Sequence, residues 1–485
     1  MRVLALAFLL SPASAAQELP ADYKAATRTI TYPELSAFLA SVDGKGPVSV
    51  SVEGKSTQGR SLYLVHLGRE AKPSWKVFIY AQQHGDEVSG KDALLYLIRD
   101  ISKDPSLLPP GVDLWVMPQV NPDGAEAGTR RNAAGADLNR DHMILEQPET
   151  QALHRAFLRV RPHVALDCHE FSRDTEAALK RGLGVWPIIT MDGMNNPLFD
   201  RSLVSIARRW VDDMSGVMAK AGKPFLRYWV GGEPPDDEQR ASAPDIDTGL
   251  SSLGMYGGLS FIAEAANHRG TQETPLGERV DAYLTLFRRV IAGGARRSED
   301  RGAIEDAKSR ALPAFIPVNY LWVNPDAAVT EFPYVETATG KVVKVPTANL
   351  MTVMAVKKTV PTPLGYAVEP SAAAMFKALL ERQAVPFEVL TATRSVKAET
   401  CTLLRVEKEF DDVYSRYDGR QIVARGEADP KDLPPGSLWV PLSGESAVRA
   451  ALVLEPAMLY GLYQYPSYAA LVGADKVLPV VRVVR

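Results

Sequence analysis

The sequence predicts an α/β fold: a mostly parallel sheet with helices on both faces, followed by a smaller β-rich domain. Three observations predict it. Strand-like and helix-like runs alternate between about residues 30 and 295, the pattern of βαβ units. His84, His169 and Glu264 each follow or close an apolar strand-like run, the end at which open α/β sheets hold their ligands. Beyond residue 312 the chain turns rich in Val, Thr and Pro and breaks into short strand-like runs.

The elements follow in order. Lys76-Val77-Phe78-Ile79-Tyr80-Ala81 is a short apolar run, as in a buried strand. Residues 88–101 carry Leu94, Leu97, Ile98 and Ile101 at helical spacing. Residues 112–117 form another strand, closed by the turn cluster Asn121-Pro122-Asp123-Gly124. Pro148-Glu149-Thr150 opens a helix reaching Leu158, and Val164-Ala165-Leu166 is a strand leading to His169. Residues 201–221 read as a long helix, and Leu259-Ser260-Phe261-Ile262-Ala263 as a strand ending at Glu264. The acidic, Pro-rich stretch 231–247 is expected to be a long surface loop, either a lid or simply solvated. Residues 296–311 are charged and linker-like or helical, and 312–485 form the β-rich accessory domain, with one helix at 372–382.

Composition narrows the function. The chain has 485 residues, 46% of them hydrophobic and 23% charged, which is globular and more than one domain in size. A net charge of −3 makes no electrostatic case for nucleic acid. Residues 1–15 read as a signal peptide: Met1-Arg2 is a positive start, 3–10 an apolar run, and Ala13-Ser14-Ala15 a small-residue cleavage site. The mature chain is then expected to be exported, periplasmic or extracellular, without a membrane span. Cys168 and Cys401 are the two cysteines, and Cys168 is expected to be a buried free thiol pointing away from His169.

The stretch His84-Gly85-Asp86-Glu87 offers an imidazole and a carboxylate three residues apart, and Asp167-Cys168-His169-Glu170 adds a second imidazole. Two histidines and one carboxylate are the ligand set of a catalytic zinc that keeps a position for water. One HxxE alone is a weak signal. It gains force from Thr129-Arg130-Arg131-Asn132, Asp137-Leu138-Asn139-Arg140 and the strand-terminal Glu264.

With Thr31-Tyr32-Pro33-Glu34-Leu35, residues 54–60, Pro148-Glu149-Thr150 and Phe261-Ile262-Ala263-Glu264, this ordered set resembles the zinc carboxypeptidase family over roughly residues 30–295. The resemblance implies an α/β/α sandwich with a mixed, mostly parallel sheet over residues 16–295. It implies one Zn2+ held by His84, Glu87 and His169, with Asp137 orienting the first histidine. Glu264 is implied as general base and Arg130 as the group that stabilises the oxyanion. Asn139 and Arg140 are implied to hold a peptide's free C-terminal carboxylate. The resemblance thus implies a metallocarboxypeptidase acting on peptides, and the signal-like start adds the expectation that it is exported.

Several points stay open at the level of sequence. The family's substrate-capping tyrosine has Tyr256 as its nearest candidate, closer to Glu264 than the family places it, with Tyr228 as another option and a core role as the alternative for both. His66 and His154 read as structural and His163 as exposed; His142 either lines the pocket or is structural, and His268 is ambiguous. The cluster Tyr460, Tyr463, Tyr465 and Tyr468 reads as core or domain interface rather than a stacking platform. Two further functions compete: a cell-wall peptide amidase, endopeptidase or N-deacylase on the same fold, and a peptide- or glycan-binding module on an inactive scaffold. The intact set of ligands, base and arginines argues against the last.

Overall fold

The structure is a computed structural model that describes residues 19–172, 176–232, 234–269, 272–294, 296–408 and 419–485. The signal-like segment lies outside the described residues. Eight strands build the central sheet: β1 (Val48–Lys55), β2 (Ser61–Leu67), β3 (Trp75–Ala81), β4 (Val112–Met117), β5 (Val164–Phe171), β6 (Ile189–Gly193), β7 (Phe225–Arg227) and β8 (Leu259–Ala266). Their spatial order is β1-β2-β4-β3-β5-β8-β6-β7. The four central strands β4, β3, β5 and β8 run parallel. On one side β1 and β2 are antiparallel additions; on the other β6 runs against β8 and β7 runs parallel to β6. The sheet is therefore mixed, with its parallel part in the middle, as expected.

Central strands covered on both faces must be apolar throughout, and all eight residues of β5 are buried. The helices Ser89–Lys103, Arg201–Lys220 and Leu276–Ala292 cover one face, packing Leu94, Trp210 and Tyr283 into one large core. The helix Pro148–Val160 covers the other, with Leu153 and Phe157 against Phe78, Tyr80 and Ala165. Alternation sends Cys168 and His169 to opposite faces. Cys168 is buried as a free thiol, and a Cβ at Gly90 of the covering helix would lie 2.9 Å from its Cβ.

The C-terminal region has a six-stranded antiparallel sheet, ordered Glu388–Val389, Leu438–Pro441, Gly365–Val368, Val480–Val484, Arg394–Lys408 and Gly419–Leu433. It is β-rich, as expected, but it is not a detached module. One hydrophobic core runs from the central sheet through Ile316, Phe376, Tyr463, Tyr465 and Tyr468. The strand Thr330–Glu336 pairs with Leu183–Val185, and Leu350–Met351 pairs with Gln239–Arg240. The 231–247 stretch is thereby strapped down rather than left as an open loop, and Gln239 within it is fully buried.

The stretch 296–311, read as linker-like or helical, is mostly the helix Arg297–Lys308. It docks because Ile304 and Asp300 are buried, Asp300 accepting from Trp210 Nε1 at 2.8 Å and pairing with Arg209. No helix among the described residues is long and apolar enough to cross a membrane.

Candidate metal centre

Three loops and strand ends meet at the carboxyl edge of the parallel strands. The turn after β3 carries His84 and Glu87. It is tight enough that a Cβ at Gly85 would overlap the backbone of Gly124 and Ala125. The helix Ser89–Lys103 starts two residues after Glu87 without a side-chain cap of its own. Its Ser89 N–H donates instead to Glu170 Oε1 at 2.6 Å, a carboxyl oxygen at the positive end of the helix. That contact ties the HxxE turn to the end of β5, where His169 sits.

The donors converge. His84 Nδ1 lies 2.6 Å from Glu87 Oε1, His169 Nδ1 lies 2.8 Å from Glu87 Oε2, and the two Nδ1 atoms are 3.1 Å apart. His84, Glu87 and His169 are all buried, and together they form the one group among the described residues that could hold a metal ion. Tetrahedral ligands at roughly 2.0–2.1 Å from zinc lie about 3.3 Å from one another, so the spacing fits one ion. The far nitrogens are fixed by carboxylates: His84 Nε2 is 3.2 Å from Asp137 Oδ1, and His169 Nε2 is 3.0 Å from Asp167 Oδ2. This arrangement leaves both Nδ1 atoms to face the ion.

Charge supports the same assignment. Three buried carboxylates, Glu87, Asp137 and Asp167, hydrogen-bond the two imidazoles, and the one guanidinium among them is Arg130. Three negatives against one positive leave two negative charges, which a dication cancels. Burial works against the charged form of Glu87, but His84 and His169 beside it outweigh burial and hold its carboxyl well below the usual carboxylate range. Asp137 behaves alike, its desolvation overcome by His84 and Arg130. Burial also opposes a charge on His169, yet Asp167 and Glu87 pull its pKa well above the ordinary imidazole value. The pocket calls for positive charge.

The other expected residues assemble unevenly. Arg130 bridges the cluster, its Nε 2.9 Å from Asp137 Oδ2 and its Nη1 3.0 Å from His84 Nδ1, while Arg131 donates to Gly135 O at 3.2 Å on the surface side. Glu264 pairs in register with His169 across β8 and β5, so both side chains leave the same face. Asn139 is buried, its Nδ2 3.2 Å from His169 Nε2 and its Oδ1 accepting from Gly249 N at 2.8 Å. Arg140 is half-buried, donating to Asn139 O at 2.8 Å with its Nε 3.8 Å from Asp247 Oδ2.

Tyr256 does not fit the substrate-capping role expected for it. Its hydroxyl is enclosed, 2.9 Å from His154 Nδ1 and 3.1 Å from Gln383 Oε1, with the Arg449 guanidinium 4.6 Å from the ring centre. A phenol fixed among three partners belongs to the packing between the two regions. Tyr228 is partly buried against the core. His163, expected to be exposed, stacks on Trp75 and accepts from Lys76 N at 2.8 Å. His142 is fully buried, and His268 is exposed.

Two residues lacked a role in the sequence and have one here. Asp167 orients His169, and the available signal was its i, i+2 spacing, which puts both on one face of β5. Gln83 donates to the same Asp167 Oδ2 at 2.9 Å. The space for this contact depends on Gly249, where a Cβ would lie 2.6 Å from Asp167 Oδ2 and closer still to Tyr80 Oη.

Fold and site together define an α/β domain with a mononuclear metal centre at the carboxyl edge of its sheet. Residues 35–171 match the model of the zinc carboxypeptidase family. The matched stretch holds His84, Glu87, Arg130, Asp137, Asn139, Arg140 and His169; Glu264 lies beyond it. Among relatives, the chain is 23% identical over 436 residues to carboxypeptidase 2 of Trichophyton rubrum, covering 83% of this chain and 77% of that protein. It is 26% identical over 223 residues to carboxypeptidase 2 of Trichophyton tonsurans, covering 43% of this chain but 41% of that protein, so the match spans about two fifths of that relative's length. A metallo-carboxypeptidase structure from Burkholderia cenocepacia aligns at 21% identity with a TM-score of 0.42, covering 54% of this chain and 69% of that one.

Proposed function

We propose that this chain is an exported zinc metallocarboxypeptidase that removes residues from the C-terminus of peptides. The observation that carries the proposal is the convergence of His84 Nδ1, Glu87 and His169 Nδ1, each imidazole backed by its own carboxylate. A bound zinc ion supplies Lewis acidity and brings the pKa of a water molecule towards about 7. Glu264, in register with His169, takes the proton from the attacking water and returns it to the leaving amine. Arg130, with Nη1 against the donor cluster, stabilises the oxyanion that develops on the scissile carbonyl. Arg140 meets the substrate's terminal carboxylate with its planar fork, and Asn139 beneath it sets the position of that turn. Export rests on the charged start, apolar run and small-residue site at the N-terminus.

The test pairs metal analysis with hydrolysis of blocked dipeptides. About one zinc per chain is expected, with activity lost on exhaustive chelation and restored by zinc. Glu264→Gln should lower kcat by about 10²–10⁴-fold while zinc stays bound. Activity that survives both chelation and Glu264→Gln would overturn the proposal.

A further inference from the structure

A continuous line of buried side chains leads away from His169 towards the C-terminal region. Asp167 Oδ2 receives His169 Nε2 at 3.0 Å and Gln83 Nε2 at 2.9 Å. Gln83 Oε1 lies 2.7 Å from His142 Nε2, His142 Nδ1 lies 3.0 Å from His154 Nε2, and His154 Nδ1 lies 2.9 Å from Tyr256 Oη. Gln83, His142, His154, Asp167 and His169 are all buried to within 2% exposure, so water does not compete for these contacts. Such networks are costly when half-satisfied and rigid when complete.

The proton positions follow from the chemistry of each group. Asp167 is a carboxylate and accepts only, so His169 Nε2 and Gln83 Nε2 both donate to it. Asn139 Nδ2 also lies 3.2 Å from His169 Nε2, but an amide nitrogen cannot accept that proton. Gln83 then presents its carbonyl oxygen, so His142 carries its proton on Nε2. His142 Nδ1 is left as an acceptor, His154 carries its proton on Nε2, and His154 Nδ1 is left as an acceptor facing Tyr256 Oη. The links from His154 to Asp167 are satisfied by neutral imidazoles with their donors aimed at Asp167, and the single Tyr256 proton serves either His154 Nδ1 or Gln383 Oε1. Neutrality is what burial imposes: it pushes His142 well below the ordinary imidazole value and brings His154 down to about 3.

The far end of this line belongs to the C-terminal region. Gln383 Nε2 donates to His142 O at 2.8 Å and to Met143 O at 2.9 Å, and its Oε1 lies 3.1 Å from Tyr256 Oη. Arg382 adds a bond to Leu145 O at 2.8 Å. The backbone that carries His142 is thus held from two sides: by Arg382 and Gln383 at the end of the helix Ala373–Arg382, and by Asp247 O, which accepts from His142 N at 3.2 Å.

We propose that His142 is a positioning residue for His169, acting through Gln83 and Asp167, and that Gln383 of the C-terminal region holds His142 in place. The β-rich region is on this basis part of the metal centre's support. Zinc affinity, not only stability, depends on a helix about 200 residues further along the chain. The proposal rests on His169 being a zinc ligand, as put forward above.

The test uses the full-length chain and two readouts. The first is the zinc dissociation constant by chelator competition, with the visible spectrum of the cobalt-substituted protein. His142→Leu removes both ring nitrogens and should weaken zinc binding by about tenfold or more, the scale of losses when an outer partner of a metal-bound histidine is removed. It should also alter the cobalt bands. His142→Gln, which can still donate to Gln83, should recover much of the affinity. Gln383→Leu should shift it in the same direction by less. Wild-type zinc affinity and an unchanged cobalt spectrum in a folded His142→Leu protein would overturn the proposal. The second readout is ring-nitrogen NMR of the metal-free chain, which should find protons on Nε2 of His142 and His154. A proton on Nδ1 of either would overturn it whether or not zinc binds. A wild-type chain that takes up no zinc would sink the carboxypeptidase proposal, and the NMR readout would still decide this one.

Discussion

Two clusters of buried charge, one in each region, look alike on paper and differ in balance. In the C-terminal sheet, Arg482 is fully buried; its Nε meets Glu455 Oε2 at 2.9 Å, and its Nη1 pairs with Glu399, which also lies 3.7 Å from Arg425. Tyr366 donates to the same Glu455 oxygen at 2.9 Å and Ala457 N to the other at 3.1 Å. Two carboxylates face two guanidiniums, and the knot closes on itself. At the edge of the central sheet, Glu87 and Asp137 pair with Arg130, Asp167 pairs only with His169, and the excess of carboxylate is left for a cation. Burying an ion pair is expensive and seldom stabilises by itself. A buried set that fails to balance is harder still to maintain, so it marks a ligand site where the balanced one marks structure.

The comparison breaks most visibly if the C-terminal knot is opened. Arg482→Leu strands Glu455 and Glu399 without their shared partner and should cost about 3–5 kcal/mol of stability, read by denaturant or thermal unfolding. Added zinc should not rescue it. A loss under about 1 kcal/mol would mean that the knot is better solvated than its burial indicates.

The open cluster should respond in the opposite currency. Asp167→Asn keeps the shape beside His169 but gives up the charge that fixes its ring, and should weaken zinc binding by about 10–100-fold with little change in the stability of the metal-free chain. Equal losses in metal-free stability and zinc affinity would erase the distinction drawn here.

How much of this was legible beforehand depends on the range of the interactions involved. β3, β4 and the helix Arg201–Lys220 come within a residue of their expected bounds, because apolar runs and helical spacing are local signals. The donors His84, Glu87 and His169 were legible through motif spacing and strand ends. Asp167 was within reach, two residues from His169 on the same face. Gln83, His154 and Gln383 were not: their roles come from contacts between segments up to about 240 residues apart, and glutamines and buried histidines carry no signature of their own. Tyr256 was misplaced for the same reason, since its distance from Glu264 along the chain says nothing of Gln383 and Arg449 arriving from the other region. The strands that the C-terminal region lends to Leu183–Val185 and Gln239–Arg240 are two or three residues long at their partners, too short for any periodicity to show.

The imidazoles between the two clusters supply the smallest and sharpest test. His142 and His154 are buried without a carboxylate of their own, so neither cluster's logic applies and they stay neutral. Burial first, then the nearby Arg449, brings the His154 pKa down to about 3, against an unfolded value of about 6.5. Between those values the unfolded chain binds a proton that the folded chain refuses, so stability rises with pH and falls as pH drops below about 6.5. From pH 7 to pH 6 this one group should cost about 0.5–1 kcal/mol. Asp141 opposes it: burial brings its carboxyl up to about 7, the folded chain holds that proton longer, and its contribution declines as pH rises from about 4 to 7. Unfolding of the metal-free chain across pH 5–7, wild type beside His154→Gln, separates the two. The substitution should remove this one group's share of the rise and leave those of His142 and His163, which burial also holds neutral. An unchanged upward slope would mean that His154 is protonated in the fold, and the line of neutral donors aimed at Asp167 would lose its middle link.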